Sequence, residues 1–174
     1  IRFNNKFKPT FTVPESVQQQ NKFFGRKKAL RIMDLVDPSK KMSKSSDSDK
    51  GVIFMSDSPE DVRSEIMSAT TDSLSKIQYS PNSQPGISNL LDLMALLEDS
   101  TVEEVAKRYD NQTQYGLFKT ELADKMAKFI SDFKDKLEKV SEQAIISKLE
   151  KSERVMNEQA NAKLYQVQKL IGIR

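Results

Sequence analysis

The sequence predicts a short α/β beginning with few strands, followed by a mainly α-helical bundle, so that the 174-residue chain is predominantly α. Three observations predict it. Short β-prone runs stand at residues 11–14, 30–36 and 51–55. Helix-start signals and apolar residues three or four apart dominate from Ser58 onward. Turn residues, among them Pro81, Pro85 and Gly86, crowd the interval 71–89 and separate two helical regions.

Taken in order, "IRFNNKF" at residues 1–7 reads as the end of a helix already under way, with no initiator Met and no signal-peptide pattern, so the chain is expected to be part of a longer protein. "FTVP" is a short β-prone run stopped by Pro14, and "SVQQQNKFFGRKK" after it reads as a surface connection. "LRIMDLV" sets Leu30, Ile32 and Val36 among polar neighbours, and "GVIFM" is the third strand candidate. Ser58 is a helix N-cap with Pro59 at the first helical position and Glu60 and Asp61 in the first turn, where carboxylates oppose the helix dipole. Val62, Ile66 and Ala69 then share a face. A helix resumes at residues 89–98, and two overlapping capping boxes, Ser100 with Glu103 and Thr101 with Glu104, precede Val102, Val105, Ala106 and Tyr109. Phe118, Leu122, Met126, Phe129, Ile130, Phe133, Leu137 and Val140 form one apolar stripe along a long helix. A last helix gathers Val155, Ala160, Leu164, Val167, Leu170 and Ile171 and stops before Gly172; these stripes are expected to pack together as a bundle.

Composition removes several chemistries. The absence of cysteine excludes disulfides and thiol nucleophiles within these residues, and the absence of histidine excludes imidazole bases and histidine metal ligands. Lysine, serine, tyrosine and carboxylates are left. No apolar run nears the length of a membrane span. The formal net charge is only +3, yet residues 1–50 carry 12 of the 28 basic side chains and 5 of the 25 acidic ones, so basicity is local.

That basicity peaks in "SKKMSKSSDSDKG", residues 39–51. Composition alone allows a solvated linker. It also allows a ligand loop in which Lys40, Lys41 and Lys44 bring three ammonium groups, Ser43 and Ser45 bring hydroxyl donors, and Gly51 turns the backbone back toward a strand. Such a loop can close over phosphates and follow charge as it moves in a reaction.

Residue order favours the second reading. Lys41, Met42, Ser43, Lys44 and Ser45 spell "KMSKS", which resembles the mobile loop of class I aminoacyl-tRNA synthetases. "RIMDLVDPSKKMSKS", "SATTDS" at 68–73, "PGISNLL" at 85–91 and "YGLFK" at 115–119 are similar, in that order and spacing, to the bacterial-type tryptophanyl-tRNA synthetase family, as are "RFNNKF" with "FTVPE" and the closing "LYQVQKLIGI". The resemblance implies an incomplete Rossmann-like nucleotide-binding fold in residues 1–60, with its loop at 40–50, and a helical domain with an anticodon-binding region in residues 61–174. It implies ATP-dependent activation of L-tryptophan, with ATP accompanied by Mg2+, and transfer to tRNA(Trp) by a cytoplasmic, homodimeric enzyme. Lys41 and Lys44 would meet the ATP phosphates, Ser43 and Ser45 would donate to phosphate oxygens, Met42 belongs to the same loop, and Ile32 and Met33 would line the adenine pocket. Tyr115 and Lys119, and the run Arg26, Lys27 and Lys28, are the candidates for tRNA contact.

One departure is large. The family's second signature, a His-x-Gly-His type turn, requires histidine, and this chain has none. The residues therefore resemble the C-terminal part of the enzyme, and alone they are expected to be inactive. Two further readings stay open on sequence grounds: a non-catalytic helical RNA-binding or interaction module derived from a synthetase, and a purely structural bundle with a disordered Ser-rich tail.

Overall fold

Seven helices account for nearly all of the regular structure in the computed structural model, which describes residues 1–23, 31–45, 49–110 and 112–174. The candidates Arg26, Lys27 and Lys28 lie outside the described residues, as do Ser46, Asp47 and Ser48 of the expected loop. The helices are α1 (Arg2–Lys6), α2 (Val17–Phe23), α3 (Pro59–Ser68), α4 (Pro85–Leu97), α5 (Val102–Arg108), α6 (Tyr115–Glu138) and α7 (Glu142–Leu170). They divide between two compact units: Ile1–Ala29 with Lys139–Arg174, and Leu30–Glu138.

The expected Rossmann-like α/β segment is corrected by this structure. Among the described residues there is no β-strand, and the β-prone runs are extended or irregular backbone. Strand propensity is expressed only where a neighbouring strand takes up the backbone hydrogen bonds. Residues 11–14 and 51–55 have no such neighbour among the described residues. Met33 alone finds one, in a single antiparallel bridge to Lys41. The helical bundle is the part of the expected fold class that stands.

Local signals succeed where their chemistry is completed within one turn. Ser58 caps α3, its Oγ accepting from the Asp61 N–H at 3.1 Å, with Pro59 first in the helix. Thr101 and Glu104 close a capping box on α5. The overlapping Ser100–Glu103 alternative is not the one used. Helix α4 starts at Pro85 and not at residue 89, because Pro85 occupies its first turn, where a missing N–H costs nothing. The polar stretch expected as a surface connection contains α2, entered through Ser16, whose N–H and Oγ both bond Gln19 Oε1.

The core of the second unit lies where α3 packs on α6 and α4 packs on α5 and α6. Phe118, Leu122, Met126 and Ile130 of α6 are buried with Val62 and Ile66 of α3 and Ile87, Leu90, Leu91 and Met94 of α4. Phe118 meets Tyr109 edge-on, with ring centroids 4.7 Å apart, a favoured aromatic geometry. The α6 stripe is buried only in its first half; Phe129, Leu137 and Val140 are exposed. Gly86 in the first turn of α4 is a packing requirement: a Cβ there would stand 2.1 Å from the Thr70 carbonyl oxygen. That close approach brings the α4 N-terminus against the backbone that follows α3.

In the first unit, Phe3 contacts Phe7 and Phe11, and the Asn4 side chain accepts from the N–H groups of Thr10 and Phe11 at 3.0 and 2.9 Å. Lys163 of α7 donates to the Thr10 carbonyl at 2.6 Å. Helix α7 buries none of its residues. Among the described residues, no helix is long and apolar enough to cross a membrane.

Candidate phosphate loop

Residues Lys41–Ser45 extend from a tight hairpin whose shape is dictated by Asp34. This aspartate is 8% exposed, and its Oδ1 accepts from the N–H groups of Val36 and Asp37 at 2.8 and 2.9 Å. An aspartate bonding the backbone two and three residues ahead closes a turn by itself. The Asp34 N–H donates to Lys40 O at 2.9 Å and the Met42 N–H to Ile32 O at 3.0 Å, which pairs Met33 with Lys41. Gly51 passes directly over the Asp34 carboxylate, and a Cβ on it would lie 1.9 Å from Oδ1.

Residues from elsewhere in the same unit supply the remaining support. Thr70, just past α3, donates its N–H to Leu35 O and its Oγ1 to Val36 O, each at 2.7 Å. The Leu35 N–H donates to Gly51 O at 3.0 Å. Asn89 of α4 accepts from the Met33 N–H and donates to the Met33 carbonyl, both at 2.8 Å. The stretch before the pentamer is thus held where a sheet would hold it, but by the Asn89 side chain of α4, by Thr70 just past α3 and by the Gly51 carbonyl.

Within the pentamer the apolar and cationic groups separate. Met42 is half-buried and packs against the core, with Ile32 and Ile53 beside it on the same cluster. Lys41 and Lys44 are exposed. Among the described residues, neither enters a salt bridge with a carboxylate. The Ser43 and Ser45 hydroxyls lie 3.0 Å apart. Lys40 differs, because its ammonium sits 3.0 Å from Asp37. The Ser39 hydroxyl, at 2.5 Å, and then Lys40 hold the Asp37 carboxyl below the ordinary aspartate range. The Lys40 charge is therefore already partly answered, whereas those of Lys41 and Lys44 face outward. Two outward ammonium groups and two hydroxyls on an anchored base suit a multiply charged oxyanion, which accepts charge-assisted hydrogen bonds from several donors at once.

The other candidates sit differently. Met33 has both backbone polar groups engaged by Asn89, and its side chain is half-buried. The Tyr115 hydroxyl turns inward, donating to Asp72 Oδ1 at 2.6 Å and accepting from Gln84 Nε2 at 3.1 Å. Lys119 is buried, and its ammonium donates to Ala69 O at 2.6 Å and Met67 O at 3.3 Å. It closes the C-terminal end of α3, where a cation meets unpaired carbonyls. Burial pushes the Lys119 ammonium below the usual lysine range. Lysine count and position did not signal this role. Thr70 and Asn89 stand inside "SATTDS" and "PGISNLL", and the sequence signals a supporting role only for Asn89, a polar residue on an apolar helical stripe.

Comparison with known proteins follows the same residues. The family model described as class I tRNA synthetases (W and Y) matches residues 1–131. The chain is 41% identical over 175 residues to the tryptophan-tRNA ligase of Malacoplasma penetrans, covering 99% of this chain and 50% of that protein. It is 33% identical over 174 residues to the tryptophan-tRNA ligase of Bacillus subtilis, again 99% of this chain and 50% of the relative. The crystal structure of tryptophanyl-tRNA synthetase from Mycoplasma pneumoniae superposes with a TM-score of 0.79 at 28% identity, over 98% of this chain and 50% of that one. The chain spans about half the length of the curated relatives it matches.

Proposed function

The chain belongs to the class I tRNA synthetases of the tryptophan and tyrosine group, and from that membership we propose that it supplies the phosphate loop and the tRNA-facing helices of a tryptophan-tRNA ligase. The whole protein joins L-tryptophan to ATP, releases pyrophosphate and passes the activated tryptophan to tRNA(Trp). Residues 1–60 serve the nucleotide and residues 61–174 form the helical, tRNA-facing part. The reading is carried by one observation: the pentamer has its methionine on the core and both lysines outward.

When the tryptophan carboxylate attacks the α-phosphorus, negative charge builds on the pentacoordinate phosphorus and on the departing pyrophosphate. Lys41 and Lys44 answer that charge, Lys44 chiefly on the pyrophosphate, while Ser43 and Ser45 donate to phosphate oxygens. Cations that engage only then favour the transition state over bound ATP. Mg2+ arrives with ATP as part of the substrate; among the described residues there is no cluster of three or more carboxylates to hold it. Ile32 and the Met33 side chain flank the adenine.

For tRNA, Arg26, Lys27 and Lys28 act through phosphate neutralisation. Tyr115 and Lys119 contribute by holding the surface on which the RNA rests, because their polar ends are engaged within the unit. The enzyme works in the cytoplasm, as a homodimer.

The test is Lys44→Ala in the full-length protein. The single-turnover rate of tryptophanyl-adenylate formation is expected to fall roughly a hundredfold, the usual effect of removing one charged transition-state contact, with ATP affinity changed less than about threefold. An unchanged rate removes Lys44 from the mechanism.

A further inference from the structure

Asn89 is the buried polar side chain whose bonds bear most directly on the loop. It is 3% exposed, on the α4 face that buries Ile87, Leu90 and Leu91. Its carboxamide gives both of its functions to one residue 56 positions away, accepting from the Met33 N–H and donating to the Met33 carbonyl at 2.8 Å each. A neighbouring strand would make the same pair of bonds. Met33 in turn is bridged to Lys41, the first residue of the pentamer. A planar donor and acceptor on a short arm therefore fixes the register of the hairpin relative to α4, and the hairpin sets where Lys41 and Lys44 start.

We propose that Asn89 is a positioning residue for adenylate formation: through Met33 it couples α4 to the phosphate loop and sets the approach of the loop lysines to the departing pyrophosphate. The inference rests on the phosphate-loop reading given above. Asn89 touches no reacting atom. It acts through the backbone, so any group that fills the space without pairing both Met33 functions leaves the fold and loses the register. Leucine keeps the same branched outline, somewhat larger, and has neither function. Aspartate keeps the acceptor, loses the donor and sets a negative oxygen against the Met33 carbonyl.

The experiment is a double-mutant cycle in the full-length protein, read by single-turnover adenylate formation. Asn89→Leu is expected to lower the rate about tenfold or more, as a misplaced catalytic group does, with the ATP KM within about threefold. In the Lys44→Ala background the same substitution is expected to cost less than about twofold, because the group it misplaces is already gone. Asn89→Asp should behave alike and serves if the leucine variant is poorly folded. Backbone amide exchange over residues 31–42 should rise while α4 and α6 stay protected.

Equal losses in both backgrounds, or no loss from either Asn89 variant, would overturn the inference while leaving the phosphate-loop reading intact. A silent Lys44→Ala would overturn that reading and this inference together.

Discussion

Substituting Gly51 by alanine should disable the loop's foundation without touching the lysines. The new Cβ would stand 1.9 Å from Asp34 Oδ1, 2.3 Å from its Cγ and 2.4 Å from Oδ2, so the whole carboxylate must leave. With it go the two bonds that Oδ1 receives from Val36 and Asp37 at 2.8 and 2.9 Å. A hydrogen bond to a charged group contributes roughly 1.5–3 kcal/mol. Val36 is exposed and Asp37 half-buried, so both N–H groups regain water and the low end applies. The two bonds together give about 3 kcal/mol, equivalent for a chain of this size to a fall of about 8 °C in Tm. Urea and thermal unfolding of the 174-residue chain measure it. Asp34→Ala supplies the internal control, since once the carboxylate is gone Gly51→Ala should cost less than about 0.5 kcal/mol more. A loss below about 1 kcal/mol in the wild-type background, or additive losses in the double variant, would refute the steric argument.

Glu65 on α3 has its carboxyl pushed up to about 7 by burial and then by the neighbouring charges of Asp57 and Asp61. The folded state therefore holds a proton that the unfolded state has released, and stability should fall as pH rises from about 4.5 to about 7; Glu65→Gln should flatten Tm across that window. Lys119→Met should lower stability by about 1–2 kcal/mol, as the Ala69 and Met67 carbonyls lose their donor. Its tRNA affinity, measured by filter binding well below the melting temperature, should change less than about threefold; a tenfold loss would make Lys119 a direct RNA contact. The 174-residue chain alone should show no tryptophan-dependent exchange of pyrophosphate into ATP above background, because the histidine-bearing signature is absent from it.

The legible parts of this fold share a short range. The Ser58 cap, the Thr101–Glu104 box and the first half of the α6 stripe each depend on residues within one or two helical turns, and each was readable as a pattern. The strand candidates failed because a strand is defined by its neighbour. Among the described residues of "LRIMDLV", Met33 alone acquired a bridge. The internal bonds of Lys119 to Ala69 and Met67 and of Tyr115 to Asp72 and Gln84 are illegible for a related reason: a cation and a phenol in a helical stretch look alike in sequence whatever their polar ends meet.

The sequence by itself determined the helical character of the chain, the capping of α3 and α5, the pentamer Lys41–Ser45 and, through it, the family, because these reside in contiguous residues whose order is their meaning. The tertiary structure decided what holds that pentamer: Gly51 laid over Asp34, Thr70 bonded to Leu35 and Val36, Asn89 paired with Met33, and Met42 set on the core. Apart from Met42, each of these joins residues from 17 to 56 positions apart. Their bonding groups are ordinary amides, hydroxyls and carbonyls that any residue-level pattern leaves uncommitted. At Asp34 and Asn89, burial among packed helices removes water as the competing partner, and one pairing prevails over the rest.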